Sequence, residues 1–167
     1  MRDSCSHIGP GTRVTVMGLG TFGGGVGAAR FLAGRGAHVI VTDLRDNASL
    51  AVSRQQLDDV PGITWRLDGH CEEDFRETDL VVVNPAVPAE SPWLRVAREA
   101  GVELTSEMNL FWQLNPAPVI AVTGSNGKST TTAMIHAMLS ARTGQAWLGG
   151  NLGGSLLGEL ERISPHD

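Results

Sequence analysis

Short runs rich in apolar and β-branched residues fall at 13–17, 38–42, 63–67, 80–83, 102–105 and 119–123, with amphipathic stretches between them. Runs of four or five largely apolar and β-branched residues predict strands, and those at 80–83 and 119–123 are expected to be buried. Between them the spacing turns helical. Ala28, Ala29, Phe31 and Leu32 share one side of a helix that Gly36 stops, and Trp93, Leu94, Val96 and Ala97 share the side of another that Gly101 ends. Ser91-Pro92 supplies the N-cap and first position of that second helix. Residues 48–60 carry a weaker helical pattern, and Ser106 is placed to cap a short helix through Leu114. Alternation of strand and helix predicts an α/β fold, a parallel sheet with helices on both faces. Asn115-Pro116-Ala117-Pro118 reads as a semi-rigid linker, dividing the chain into 1–115 and 116–167.

The first run breaks into Gly18-Leu19-Gly20-Thr21-Phe22-Gly23, a G-x-G-x-x-G, and the second ends at Asp43. Glycines at this spacing permit a tight turn and close approach of a phosphate, and an acid after the second strand can hold a ribose. The unit is therefore Rossmann-like. The same glycines also suit a crossover that only needs small residues where helix meets strand. Gly24 and Gly25 carry the run into the helix, which weakens it unless something approaches the backbone closely. Asn84-Pro85-Ala86-Val87-Pro88 makes an extended turn at the carboxyl edge of the sheet, where ligands gather in open α/β folds.

A second phosphate signal follows the run at 119–123, expected as a buried parallel strand: Gly124-Ser125-Asn126-Gly127-Lys128-Ser129-Thr130-Thr131. A Gly-rich loop that restarts as a helix points unpaired N–H groups and the helix dipole at an anion. Lys128 is placed to reach the outer phosphates of ATP, and Ser129 to offer its hydroxyl to a phosphate-bound Mg2+. The loop is shorter than a Walker A loop, whose first Gly would fall at Val122. The helix beyond it carries Met134, Ile135, Met138 and Leu139 as a stripe expected to join a core. A last short helix is expected around Leu156, Leu157 and Leu160. A phosphate-loop domain needs further strands and a later acidic Mg2+ ligand, so residues 116–167 are expected to be only the opening of one.

The 167 residues carry a net charge of −5 and no basic run, which argues against a nucleic-acid surface. Cys5 and Cys71 lack partners at metal-ligand spacing. His70 is expected in a surface turn. The cluster Glu72, Glu73, Asp74, Glu77 and Asp79 is expected to be a solvated face without a metal. No apolar stretch resembles a signal peptide or a membrane span, so a cytoplasmic protein is expected.

Taken in order, GLGTFG, TDLR, NPAVP, SEMNLF, VTGSNGKSTTT and GGNLGGSLL resemble the Mur ligases of peptidoglycan synthesis over nearly the whole chain from Arg13. The resemblance implies an ATP- and Mg2+-dependent amide-forming ligase that activates UDP-N-acetylmuramoyl-L-alanine as an acyl phosphate and joins it to D-glutamate. It implies that Leu19, Gly20, Thr21 and Phe22 sit against the UDP-sugar diphosphate. Asp43, Leu44 and Arg45 would surround the uracil and phosphates, with Asn84, Pro85 and Ala86 bordering the uracil. Gly124 to Thr131 would hold ATP, with Lys128 and Ser129 catalytic, and Asn151 would face the muramoyl-alanine end. Relatives often carry Ser-Pro-Gly where this chain has Asn84-Pro85-Ala86. The family's later metal ligands and D-glutamate site lie beyond Asp167, so this chain alone is expected to bind without turnover. Two other readings stay open: an NAD-dependent oxidoreductase built on Gly18 to Gly23 and Asp43, and a non-catalytic nucleotide-binding module.

Overall fold

Five strands form one parallel sheet: β1 (Arg13–Met17), β2 (His38–Thr42), β3 (Ile63–Arg66), β4 (Leu80–Val83) and β5 (Glu103–Thr105), in the order β3-β2-β1-β4-β5. The computed structural model describes residues 8–20, 23–143 and 145–167. Central β1 pairs Val14 with Val39 of β2 and with Leu80 of β4. Because strand residues alternate faces, Val14, Val16, Val39, Val41, Leu80 and Val82 build one side of the core, and Met17 and Val81 the other. This explains the nearly continuous apolar runs of β1, β2 and β4, whereas the edge strands β3 and β5 stay partly exposed. The first side is covered by α1 (Gly24–Gly34), α5 (Glu107–Leu114) and the stretch around Leu50 and Leu57, which includes the short α2 (Ala51–Gln55). The second is covered by α3 (Glu73–Arg76) and α4 (Pro92–Glu99) through Phe75, Leu94 and Ala97.

Helix boundaries follow the local signals. Gly36 (φ 83°) and Gly101 (φ 74°) each sit just past a helix C-cap in the left-handed region. Ser106 caps α5, its side chain accepting from the Asn109 N–H at 3.2 Å. Ser91 holds the N-cap position of α4 with Pro92 behind it, but its side chain makes no capping bond. The weak pattern over 48–60 condenses to the five residues of α2.

Four expectations are corrected. Residues 119–123 do not form a strand, and Val119 and Ile120 are 41% and 60% exposed. A buried parallel strand needs neighbours to take up its N–H and C=O groups, and among the described residues no strand lies beside this one. The stripe on α6 (Lys128–Thr143) does not join a core as a whole: Met134 and Met138 are exposed, whereas Ile135 and Leu139 are half-buried. The acidic cluster is not simply a solvated face: Asp74 is buried and paired with Arg66 at 3.3 Å, and Asp79 accepts the Arg13 N–H at 2.8 Å. His70 is no surface turn residue. It is half-buried, edge-on to Phe75 and Trp93 at 5.7 and 5.5 Å.

Residues beyond α6 return to the first core. Leu157, in a 3-10 turn (Leu157–Glu159), and Ile163 are buried there, with Trp147, Leu156 and Leu160 packed against it. The short helix expected near Leu156 is this single turn.

Candidate functional site

The sheet order reverses between β1 and β4, each of which continues into a loop at its carboxyl end, and such a switch point leaves a crevice. Here it opens into a cleft of about 1120 Å³. Gly18 and Gly20 leave β1 with φ of 83° and 71°, and Asn84 leaves β4 directly opposite. A Cβ on Gly20 would lie 2.6 Å from Asn84 Nδ2, and one on Gly18 would lie 3.0 Å from Asn84 Cβ. The glycines are thus required by close contact with this side chain as well as by backbone conformation. Asn84 Oδ1 accepts the Ala86 N–H at 3.0 Å, which sets the turn, and Ser53 Oγ donates to the Gly20 carbonyl at 3.0 Å.

Asp43 is the electrostatic centre of the wall. It is buried, and its Oδ2 accepts the Leu19 N–H at 3.0 Å and Arg45 Nη2 at 2.8 Å. Its Oδ1 accepts Arg45 Nε at 3.1 Å and the Arg45 N–H at 3.0 Å. Burial pushes the carboxyl up, but the Arg45 guanidinium and these N–H donors outweigh it and hold Asp43 below the usual carboxylate range. Arg45 itself is half exposed to the cleft, a cation held in place. Farther along, the His70 ring shares a 2.6 Å hydrogen bond with Thr42 Oγ1, and burial lowers its pKa despite the charges of Asp43 and Asp74.

The cleft gathers residues from distant parts of the sequence. Gly20, Asp43, Leu44, Arg45, Asn84, Pro85, Ala86 and Asn151 all line it. Leu19 does not: its side chain is fully buried in the core and its N–H is committed to Asp43. Thr21 and Phe22 lie outside the described residues. Sequence reasoning missed His70, Trp93, Met108, Glu107 and Ser155, which also line the cleft. Glu107 and Ser155 lay inside the segments SEMNLF and GGNLGGSLL, whose spacing alone carries no sign that they meet.

Gly25 and Gly27 in α1 are explained by close packing. A Cβ on Gly25 would lie 2.2 Å from the Leu19 carbonyl, and one on Gly27 would lie 2.3 Å from both Cβ and Oγ of Ser155. Part of the glycine run therefore serves the chain's own contacts.

The loop 124–131 is separate. None of its residues lines the cleft, and all are exposed. Gly124 and Gly127 have φ of 148° and 77°, and α6 starts at Lys128. Lys128 Nζ folds back over the loop, donating to the carbonyls of Gly124 and Ser125 at 2.5 and 3.3 Å. A cation held over the N-terminal turn of a 16-residue helix, with a serine in that turn, is a donor set that fits a nucleotide phosphate and its Mg2+.

Residues 12–106 match the family described as Mur ligase MurD-like, N-terminal domain, and residues 122–163 match the Mur ligase middle domain. Among curated proteins, the chain is 46% identical over 154 residues to UDP-N-acetylmuramoylalanine–D-glutamate ligase of Roseiflexus sp. (strain RS-1), covering 92% of this chain and 33% of that protein. It is 43% identical over 151 residues to the ligase of the same name from Geobacter metallireducens, covering 90% and 33%. The chain thus spans about a third of the length of the curated relatives it matches. A solved murein peptide ligase from Psychrobacter arcticus superposes with a TM-score of 0.53 at 26% identity, covering 80% of this chain and 27% of that one.

Proposed function

This chain belongs to the Mur ligase family, and we propose that it is the N-terminal part of a ligase that joins D-glutamate to UDP-N-acetylmuramoyl-L-alanine. The division near Asn115 to Pro118 then marks where a UDP-substrate-binding unit gives way to the beginning of an ATP-binding unit, whose residues from Trp147 onward pack back on the first core. The observation that carries the reading is the cleft itself, where Arg45, two glycines and the Asn84-Pro85-Ala86 turn surround one opening at the switch point.

Its chemistry suits a UDP-sugar. Arg45, pinned by Asp43, presents a fixed cation to a diphosphate, and a preformed ion pair loses little freedom when the ligand arrives. Gly18 and Gly20 let the ligand approach the backbone, and Leu44, Pro85 and Ala86 give apolar surface for a base. Asn151 stands at the same opening with an exposed amide, suited to the polar acyl-sugar end. Use of Asp43 as a ribose acceptor for NAD finds less support, because both of its oxygens are already engaged.

In the second unit, bound ATP with Mg2+ would supply the phosphoryl group that activates the L-alanyl carboxylate. Lys128 and the first amides of α6 would hold and orient the outer phosphates, and Ser129 would face the metal. Calorimetric titration of this chain with UDP-N-acetylmuramoyl-L-alanine and with NAD tests the reading. Saturable binding of the first and none of the second is expected, and preferential binding of NAD would overturn it.

A further inference from the structure

Glu107 lines the cleft but has no role in the reading above, and it lies where three elements meet. It opens α5, and Oε1 accepts a hydrogen bond from Ser155 Oγ at 2.6 Å. Its other oxygen, Oε2, is 3.9 Å from where a Cβ on Gly24, at the start of α1, would sit. Ser155 in turn presses on α1 at Gly27, where any side chain would collide with it, and its Oγ accepts the Leu157 N–H at 3.3 Å. The serine is therefore fixed on three sides by α5, α1 and the 3-10 turn.

Immediately before Ser155, Gly150 and Gly154 exchange backbone hydrogen bonds of 2.8 and 2.7 Å, closing a tight turn with Asn151 just inside it. A Cβ on Gly153 would lie 1.9 Å from the Leu148 carbonyl, so the turn in this shape has no room for a side chain there. Asn151 makes no side-chain hydrogen bond among the described residues, is exposed, and lines the cleft. A rigid turn with its functional side chain unsupported takes its placement from its attachment point. That point is Ser155.

We propose that Glu107 and Ser155 form a clasp that positions the Gly150–Gly154 turn, and with it Asn151, over the cleft, making Glu107 a positioning residue for the acyl-sugar end of the ligand. The ligand half of this proposal rests on the reading of the cleft as a UDP-N-acetylmuramoyl-L-alanine site; the clasp itself does not. Burial raises the Glu107 pKa against the opposing Ser155 bond.

Two measurements separate the halves. In amide hydrogen exchange without ligand, Glu107→Ala and Ser155→Ala should each speed exchange at 150–154 while leaving the β1 and β4 amides unchanged. Glu107→Gln, whose amide oxygen still accepts the serine, should match wild type. In calorimetric titration the two alanine variants should weaken UDP-N-acetylmuramoyl-L-alanine roughly fivefold or more, with UDP alone unchanged, as expected for losing the bond that places one polar contact. The double alanine variant should be no worse than either single one. Unchanged exchange at 150–154 in both alanine variants would overturn the clasp, as would equal loss of UDP and full ligand. If wild type binds neither ligand, the cleft assignment fails, and the exchange result still decides the clasp.

Discussion

Arg45 reaches back two residues to grip Asp43 with Nε and Nη2 at 3.1 and 2.8 Å, so the carboxylate that follows β2 holds a cation rather than standing open. The Leu19 N–H completes the arrangement from the glycine loop. One buried acid thereby ties β2, its following turn and the loop after β1 into a single rigid wall of the cleft.

Removing the cation should cost binding directly. A charge-assisted contact is worth about 1.5–3 kcal/mol, so Arg45→Ala should weaken UDP-N-acetylmuramoyl-L-alanine roughly tenfold or more. The variant also leaves the buried Asp43 charge facing the phosphates without its partner. Calorimetric titration of the two proteins checks this, and equal affinities would remove Arg45 from the site.

Acid should loosen the same wall. Asp43 has a folded-state pKa below its unfolded value, so its contribution to stability is present above the ordinary carboxylate range and is lost as pH falls through the depressed value. Glu107 has the opposite sign: its raised pKa means the folded state takes up that proton first, so stability is regained as pH falls towards the ordinary range. Melting temperatures against pH should show the gap between wild type and Asp43→Asn widest near neutrality and closing in acid. Glu107→Gln should be at least as stable as wild type at neutral pH and lose that advantage as pH falls.

Close approach at the switch point makes Gly20 intolerant. In Gly20→Ala the new methyl would meet Asn84 Nδ2 at 2.6 Å on a backbone with φ of 71°, so Asn84 must move and the turn that presents Pro85 and Ala86 moves with it. We expect about 1–3 kcal/mol of destabilisation by urea titration and weaker ligand binding. Binding and stability both matching wild type would show that the loop relaxes freely.

Phe75 is fully buried, stacked on Trp93 at 5.6 Å and edge-on to His70. Phe75→Ala should cost about 3–5 kcal/mol in urea denaturation, the range for a large buried aromatic. A loss below 1 kcal/mol would mean the α3 and α4 side of the sheet collapses onto the gap.

At the loop 124–131, weak ATP binding is expected, because residues 119–123 form no strand and leave the loop poorly preorganised. We expect Lys128→Ala to abolish what binding there is, and the 167-residue chain to release no phosphate from ATP in the presence of both substrates and Mg2+. Phosphate release that depends on Lys128 would show that the loop needs no flanking strands.

Local pattern determined what depends on local physics. Apolar and β-branched runs marked all five strands to within a residue at each end. Gly36 and Gly101 marked helix ends because only a left-handed residue can follow those caps. The glycine loop, Asp43 and the turn at Asn84 were legible because their spacing along the chain is the signal, whereas Arg45 was reached only through the family resemblance. The structure alone decided what depends on partners distant in sequence. Among the described residues, Val119 to Thr123 has a strand's composition but no strand beside it, and on a stripe of core composition Met134 and Met138 stay exposed. Leu19 turned inward because its side chain found the core, and His70 joined Phe75 and Trp93 beneath the cleft. Glu107 met Ser155 across 48 positions of sequence. No periodicity records such a meeting, because it is set by how α5, α1 and the glycine turn stack on the sheet and not by the residues beside each one.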